Sequence, residues 1–115
     1  MDARELLRQY AEGQRDFTRA DLGGARLYGA NLSGADLSGA DLWEARLPGA
    51  NLSHASLSGA RLCFADLCGA DLRSVQLNGA DLSRADLRDA RVWQRDLAQA
   101  ASLQGATMPD DSGQE

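Results

Sequence analysis

From Arg15 to Gln99 an apolar residue returns at every fifth position. Phe17 opens the series. Fourteen leucines follow without a break: Leu22, Leu27, Leu32, Leu37, Leu42, Leu47, Leu52, Leu57, Leu62, Leu67, Leu72, Leu77, Leu82 and Leu87. Val92 and Leu97 close it, which makes seventeen pentads. Alanine stands two residues before every centre except at Arg15, Val75 and Arg95. Glycine is frequent two residues after the centre, at Gly24, Gly29, Gly34, Gly39, Gly49, Gly59, Gly69 and Gly79. Internal repetition of this kind sets the architecture before any local propensity does.

Period five excludes the two ordinary elements. On an α-helix, residues lie about 100° apart, so steps of five scatter the leucines around every face. On a flat strand, side chains alternate with period two, and every second leucine would face water. A coil in which each pentad forms one side, with the chain turning a right angle at each corner, buries them all. Alanine two residues earlier shares the inward face. The residues flanking each centre point outward. The corner falls two residues after the centre, where glycine tolerates unusual φ.

Four sides make a coil of about twenty residues, with coils stacked about 4.8 Å apart. Leu22, Leu42, Leu62 and Leu82 then form one interior ladder; Leu27, Leu47, Leu67 and Leu87 form the next. Each buried leucine contributes roughly 1.5–3 kcal/mol, and stability comes from neighbouring coils stacking.

The run of ADLGG, ANLSG and ADLCG pentads resembles the pentapeptide-repeat family, whose motif reads A-(D/N)-L-X-X. The resemblance is strict over residues 15–99. It implies an all-β fold, a right-handed quadrilateral β-helix with a short N-terminal capping α-helix. The opening ELLRQYAEGQRDF looks like the helical start of many bacterial members, cyanobacterial ones especially. The close, GATMPDD, is similar to the C-terminal end of some. The resemblance further implies a non-enzymatic chain that offers its outer faces to protein partners. Two alternatives come with it: a DNA-mimicking effector of type II topoisomerases, and a purely structural self-associating unit. Val75, Gln76, Val92, Arg15 and Arg95 depart from the motif and loosen the ends.

Four segments follow. Residues 1–14 form a helical cap. Asp2 and Glu5 have capping-box spacing, Leu6, Leu7 and Tyr10 lie near one face, and Gly13 stops the helix. Residues 15–99 form a solenoid of about four coils. Residues 100–110 form a degenerate coil, with Ala100 as one extra residue in the register, and residues 111–115 a disordered tail. Val92, Trp93, Leu97, Leu103 and Met108 gather at the C-terminal end. They plug the core, or, since some family members dimerise there, Val92, Trp93, Leu103 and Met108 form the contact of a homodimer.

Composition narrows the chemistry. A net charge of −5, with twelve arginines and no lysine, argues against a nucleic-acid binder. No apolar run reaches the roughly 20 residues of a membrane span, and the N-terminus lacks the apolar region of a signal peptide, so the expected address is cytoplasmic. A filled Leu/Ala interior leaves no concave site for catalysis; no catalytic residue, cofactor or metal is expected. His54, the single histidine, reads as an exposed corner residue. Cys63 and Cys68 have C-x4-C spacing, which is not a zinc pattern. They point outward on adjacent sides, splayed against disulfide formation, as two exposed free thiols of a reducing cytosol.

The charges read as a solvated wall. Asp41, Arg61 and Asp81 stack with alternating sign, as do Asp71 and Arg91, while Asp66, Asp86 and Asp89 make a modest acidic patch. The candidate partner surface is aromatic: Trp43 and Cys63 on one outer face, Phe64 at the neighbouring corner, Tyr28 around the next side. The plainer reading is isolated decoration of a tolerant scaffold.

Overall fold

The computed structural model describes residues 1–109. The tail expected at residues 111–115 and the last residue of the degenerate coil lie outside the described residues. Two helices flank the repeat, α1 (Ala3–Ala11) and α2 (Gln94–Leu97). Between them the chain makes no long strand. It forms single parallel bridges at a spacing of twenty residues, such as Asp21↔Asp41, Asp41↔Arg61 and Arg61↔Asp81. These bridges define four sides. The first carries Asp21, Asp41, Arg61 and Asp81; the second Arg26, Arg46, Asp66 and Asp86. The third carries Asn31, Asn51, Asp71 and Arg91; the fourth Asp16, Asp36, Ser56 and Gln76. The chain is a β-helical solenoid measuring 36 × 22 × 20 Å.

One pentad shows why the sequence takes this path. The Ala40 amide donates to the Leu37 carbonyl (3.0 Å) and closes a turn. Asp41 donates back one coil to Ala20 (2.9 Å), and Leu42 and Glu44 donate forward one coil to Arg61 (2.7 Å) and Cys63 (2.9 Å). The fifth amide, on Trp43, reaches no backbone; it donates to the Asp41 Oδ1 (3.1 Å). Buried or constrained amides must find partners, and the side chain before the centre supplies the missing one. The same contact recurs from Asp16 to Thr18, Asn51 to Ser53, Asp66 to Cys68 and Asp86 to Arg88. The aspartates are thus turn caps before they are surface charges.

The corner residue has positive φ and the residue before it does not, the pattern of a type II turn. Glycine fills eight of these corners between Gly24 and Gly79, and Arg19, Glu44, His54, Phe64, Ser74, Arg84 and Asp89 fill the others at φ of 58–62°.

Inside, every centre from Phe17 to Leu97 is 0–3% exposed, and among the described residues no buried side chain is polar. The alanines are buried from Ala30 onward, whereas Ala20 and Ala25 are only partly covered, since the coil below them is replaced by α1. Val75 keeps its place in the core at 3% exposure.

The ends differ from the sequence reading in three particulars. Helix α1 buries Leu6 completely, but Leu7 is 37% exposed; one residue along a helix is a 100° rotation, so both cannot face the core. Asp2 caps the helix by accepting from the Glu5 amide (2.8 Å), while the Glu5 carboxylate turns to Arg8 and Gln9. At the other end the last pentad becomes α2, with Leu97 still inside. The register has slipped before Ala100: Gly59 bonds to Asn78, but Gly79 bonds to Gln99, one residue late. The helix absorbs the extra residue, and the chain resumes coil pairing at Asp81↔Ser102 and Asp86↔Thr107.

Candidate functional site

The corner between the first and second sides runs through Gly24, Glu44, Phe64 and Arg84, one per coil. Three successive residues there hold positive φ without being glycine: Glu44 (58°), Phe64 (61°) and Arg84 (58°). No other corner column holds three in a row. Side chains in this conformation cost of order 1–3 kcal/mol each and persist where the surroundings or a function demand them.

Phe64 projects from this corner and meets Trp43 edge to face, with centroids 6.2 Å apart and planes at 79°. The Arg84 guanidinium lies over the Phe64 ring, 5.9 Å from its centroid. Phe64 is 50% and Trp43 44% exposed, so a ring pair with a cation beside it stands in water. Beside it runs a shallow groove of about 360 Å³ lined by Gly24, Arg26, Glu44, Arg46, Phe64 and Asp66.

The structure brings together Trp43 and Phe64 but not Tyr28. That ring sits on the second side, 56% exposed, with the Arg46 Nη1 donating to its hydroxyl at 3.4 Å. Cys63 and Cys68 are free and half-buried rather than exposed. Burial, and then the Asp81 carboxylate, push the Cys63 thiol up, which makes it a poor nucleophile. His54 holds a corner at φ 62°. Among the described residues no group of three His, Cys, Asp or Glu side chains is placed to hold a metal ion, and no helix is long and apolar enough to cross a membrane.

The acidic patch is weaker than the sequence indicates. Asp86 binds Arg88 through two oxygens (2.7 Å and 3.0 Å), and Asp71 binds Arg73 likewise (2.8 Å and 2.9 Å). These bonds hold both carboxyls below the usual range. The Asp81 carboxyl is held down first by the Ser83 hydroxyl. The local pairs lie two residues apart along one side, a proximity set by the shared outward direction of alternate residues; the charges stacked between coils add less.

The proposed dimer end also changes. Val92 is 2% exposed and Leu97 1%, so Val92 belongs to the core and presents no surface. Trp93 and Leu103 are half-buried, Arg95 lying over the Trp93 ring at 5.6 Å, and Met108 is 40% exposed.

Residues 16–53 and 55–94 match the family described as Pentapeptide repeats (8 copies). No curated protein matches the chain significantly. Among solved structures, a pentapeptide repeat protein from Nostoc Pcc 7120 is 37% identical with a TM-score of 0.78, covering 96% of this chain and 87% of that one. One from the cyanobacterium Cyanothece 51142 is 36% identical with a TM-score of 0.65, over 78% of this chain and 60% of that one. One from the Arabidopsis thaliana thylakoid lumen is 26% identical with a TM-score of 0.69, over 87% and 68%. Repeat, turn chemistry, filled interior and these likenesses agree: the chain belongs to the pentapeptide repeat family.

Proposed function

We propose that this protein is a non-enzymatic scaffold that binds a protein partner through its outer surface, in a reducing cytoplasm where its two cysteines stay free. Its coil takes the family's right-handed quadrilateral form, the hand that parallel crossovers follow. The observation that carries the binding reading is the Trp43–Phe64 pair. Exposed aromatics beside an arginine are the side chains that dominate protein interfaces, and here the backbone accepts strain at Phe64 to present one. An interior without polar side chains among the described residues and a groove open to solvent give catalysis little to converge on.

The carboxylates weigh against imitation of duplex DNA, because aspartate oxygens face their own turn amides and Asp71 and Asp86 are neutralised by Arg73 and Arg88. A self-associating unit joined at its C-terminal end would draw on Trp93, Leu103 and Met108.

The test is capture from native cell extract with the parent and with a Trp43→Ala/Phe64→Ala variant. Both side chains are outside the core, so melting within a few degrees of the parent is expected, together with loss of the captured partner. Undiminished capture would remove the aromatic pair from the reading.

A further inference from the structure

The second side differs from the others in the order of its charges. Its column before the centres reads Arg26, Arg46, Asp66, Asp86 along the rod, each bridged to the next. Two cations occupy one half and two anions the other. Turned end for end, that column becomes its own complement. The first side (Asp, Asp, Arg, Asp) would set Asp21 against Asp81, and the third and fourth would set charges against amides or hydroxyls.

The cationic half also breaks a local rule. All ten Asp and Asn residues of these columns cap the amide two residues on, as at Asp41 and Asn51. Arg26 and Arg46 give that cap up, and the residue after Leu47 is Pro48, which has no amide to cap. Like charges in adjacent bridged positions repel. Arg26 is exposed, and Arg46 makes a 3.4 Å contact with the Tyr28 hydroxyl and lies within the attraction of Glu44 and Asp66 without a salt bridge to either. Departures from a fold's own grammar mark functional positions.

From this the geometry points to a second copy of the chain as the occupant of this side, docked antiparallel about a two-fold axis lying along the strand direction. Such an interface is isologous, each contact occurring twice. Arg46 then faces Asp66 of the other copy, the unpaired carboxylate of the column, and Arg26 faces Asp86, whose carboxylate it shares with the Arg88 already bound there. The next outward column follows the same operation: Tyr28, 56% exposed, comes opposite Arg88, in position for a cation–π contact, and Pro48 opposite Cys68. One rim of this side is low over three coils, at Gly29, Gly49 and Gly69, and ends at Asp89; the other rim carries Glu44, Phe64 and Arg84, and the same operation sets Phe64 opposite Glu44. With extents of 36 × 22 × 20 Å, a side spans at most about 700 Å² per copy, and the two outward columns that carry the pairs cover only part of it, below the roughly 800 Å² per partner of a standard interface. The dimer is therefore weak, and its charge pairs make it sensitive to salt.

The experiment is sedimentation equilibrium of the full chain at about 20 mM and about 0.5 M NaCl, where screening falls within a few ångströms. The parent is expected to associate at low salt and at least tenfold more weakly at high salt. Arg26→Asp/Arg46→Asp restores the family residue at both positions and is expected to fold, yet stay monomeric, because every facing pair becomes two anions. Asp66→Arg/Asp86→Arg is expected to stay monomeric for the opposite reason, its folding checked by far-UV circular dichroism. Mixed in equal amounts, the two variants should pair at low salt at least as tightly as the parent, since all four positions are then opposite in sign. A monomeric parent at low salt, or a mixture that stays monomeric while both variants are folded, would overturn the inference. So would association untouched by the charge reversals and lost in Trp93→Asp, which would place the contact at the C-terminal end.

Discussion

The two ends of the rod solve one problem differently. At the N-terminus a separate element covers the first coil: α1 inserts Leu6 completely and ties itself down by the Tyr10 hydroxyl donating to the Ser33 carbonyl at 2.6 Å. Arg15 lies over the Tyr10 ring at 3.6 Å and also donates to its carbonyl. At the C-terminus the repeat itself is bent into a cap. Helix α2 replaces one side, and the following residues pair out of phase with the coil beneath. There Leu103 is only half-buried and Met108 is 40% exposed. A stacked coil can be closed by a foreign element that brings its own apolar residue, or by degrading its own pattern, and the second route seals less.

The largest effect should come from a position that neither end can rescue. Leu62→Asp places an unpaired charge in the middle of the interior, where the parent side chain is 0% exposed, at a cost far above the few kcal/mol that buried polar groups exact. Loss of the cooperative melting transition is expected; a melting temperature within a couple of degrees of the parent would show that the ends, not the ladder, hold the rod.

Next, Leu6→Ala and Leu103→Ala compare the seals directly. Leu6→Ala should cost about 2–5 kcal/mol, as for fully buried leucines, with hydrogen exchange rising throughout α1. Leu103→Ala should cost less than half as much, because part of its surface is already wet. Equal losses would make the two seals equivalent.

Acid should have the smallest effect and act on both ends alike. Glu5 is held below the usual carboxylate range by Arg8, and Asp16 by the Thr18 amide; near the other end Ser83 and Arg88 hold down Asp81 and Asp86. A carboxyl with a lower value in the folded chain stabilises it above the unfolded value of about 4, and that contribution is lost as pH falls through the native value. The melting temperature should be level from about pH 7 to 5 and fall below about pH 4. Residue-level exchange at low pH should rise at both ends; a rise confined to one would separate them.

The interior was legible because the coil makes all inward positions equivalent. Leu22 and Leu82 have the same environment, so periodicity alone places them, and the glycine corners follow from the turn each side requires. The outer surface was not legible in this way. That Asp41 caps Trp43, that Asp86 is spent on Arg88, and that Cys63 is half-covered all depend on neighbours two residues or a full coil away. The A-D-L spacing carried the capping signal, an acceptor two residues before an amide, but the aspartates read first as surface charge. Leu7 was misplaced for a related reason, since so short a helix fixes its rotation through tertiary contact rather than through its own pattern.

What the sequence settled by itself is the core, the four-sided coil and the positions of its corners, because burying a leucine at every fifth residue admits few backbone paths. What only the tertiary structure decided is the state of the surface and the ends: Trp43 against Phe64, Tyr28 apart from both, Val92 inside, and the extra residue absorbed in α2. Those outcomes rest on side-chain rotamers and on contacts between coils twenty residues apart, neither of which a linear pattern encodes.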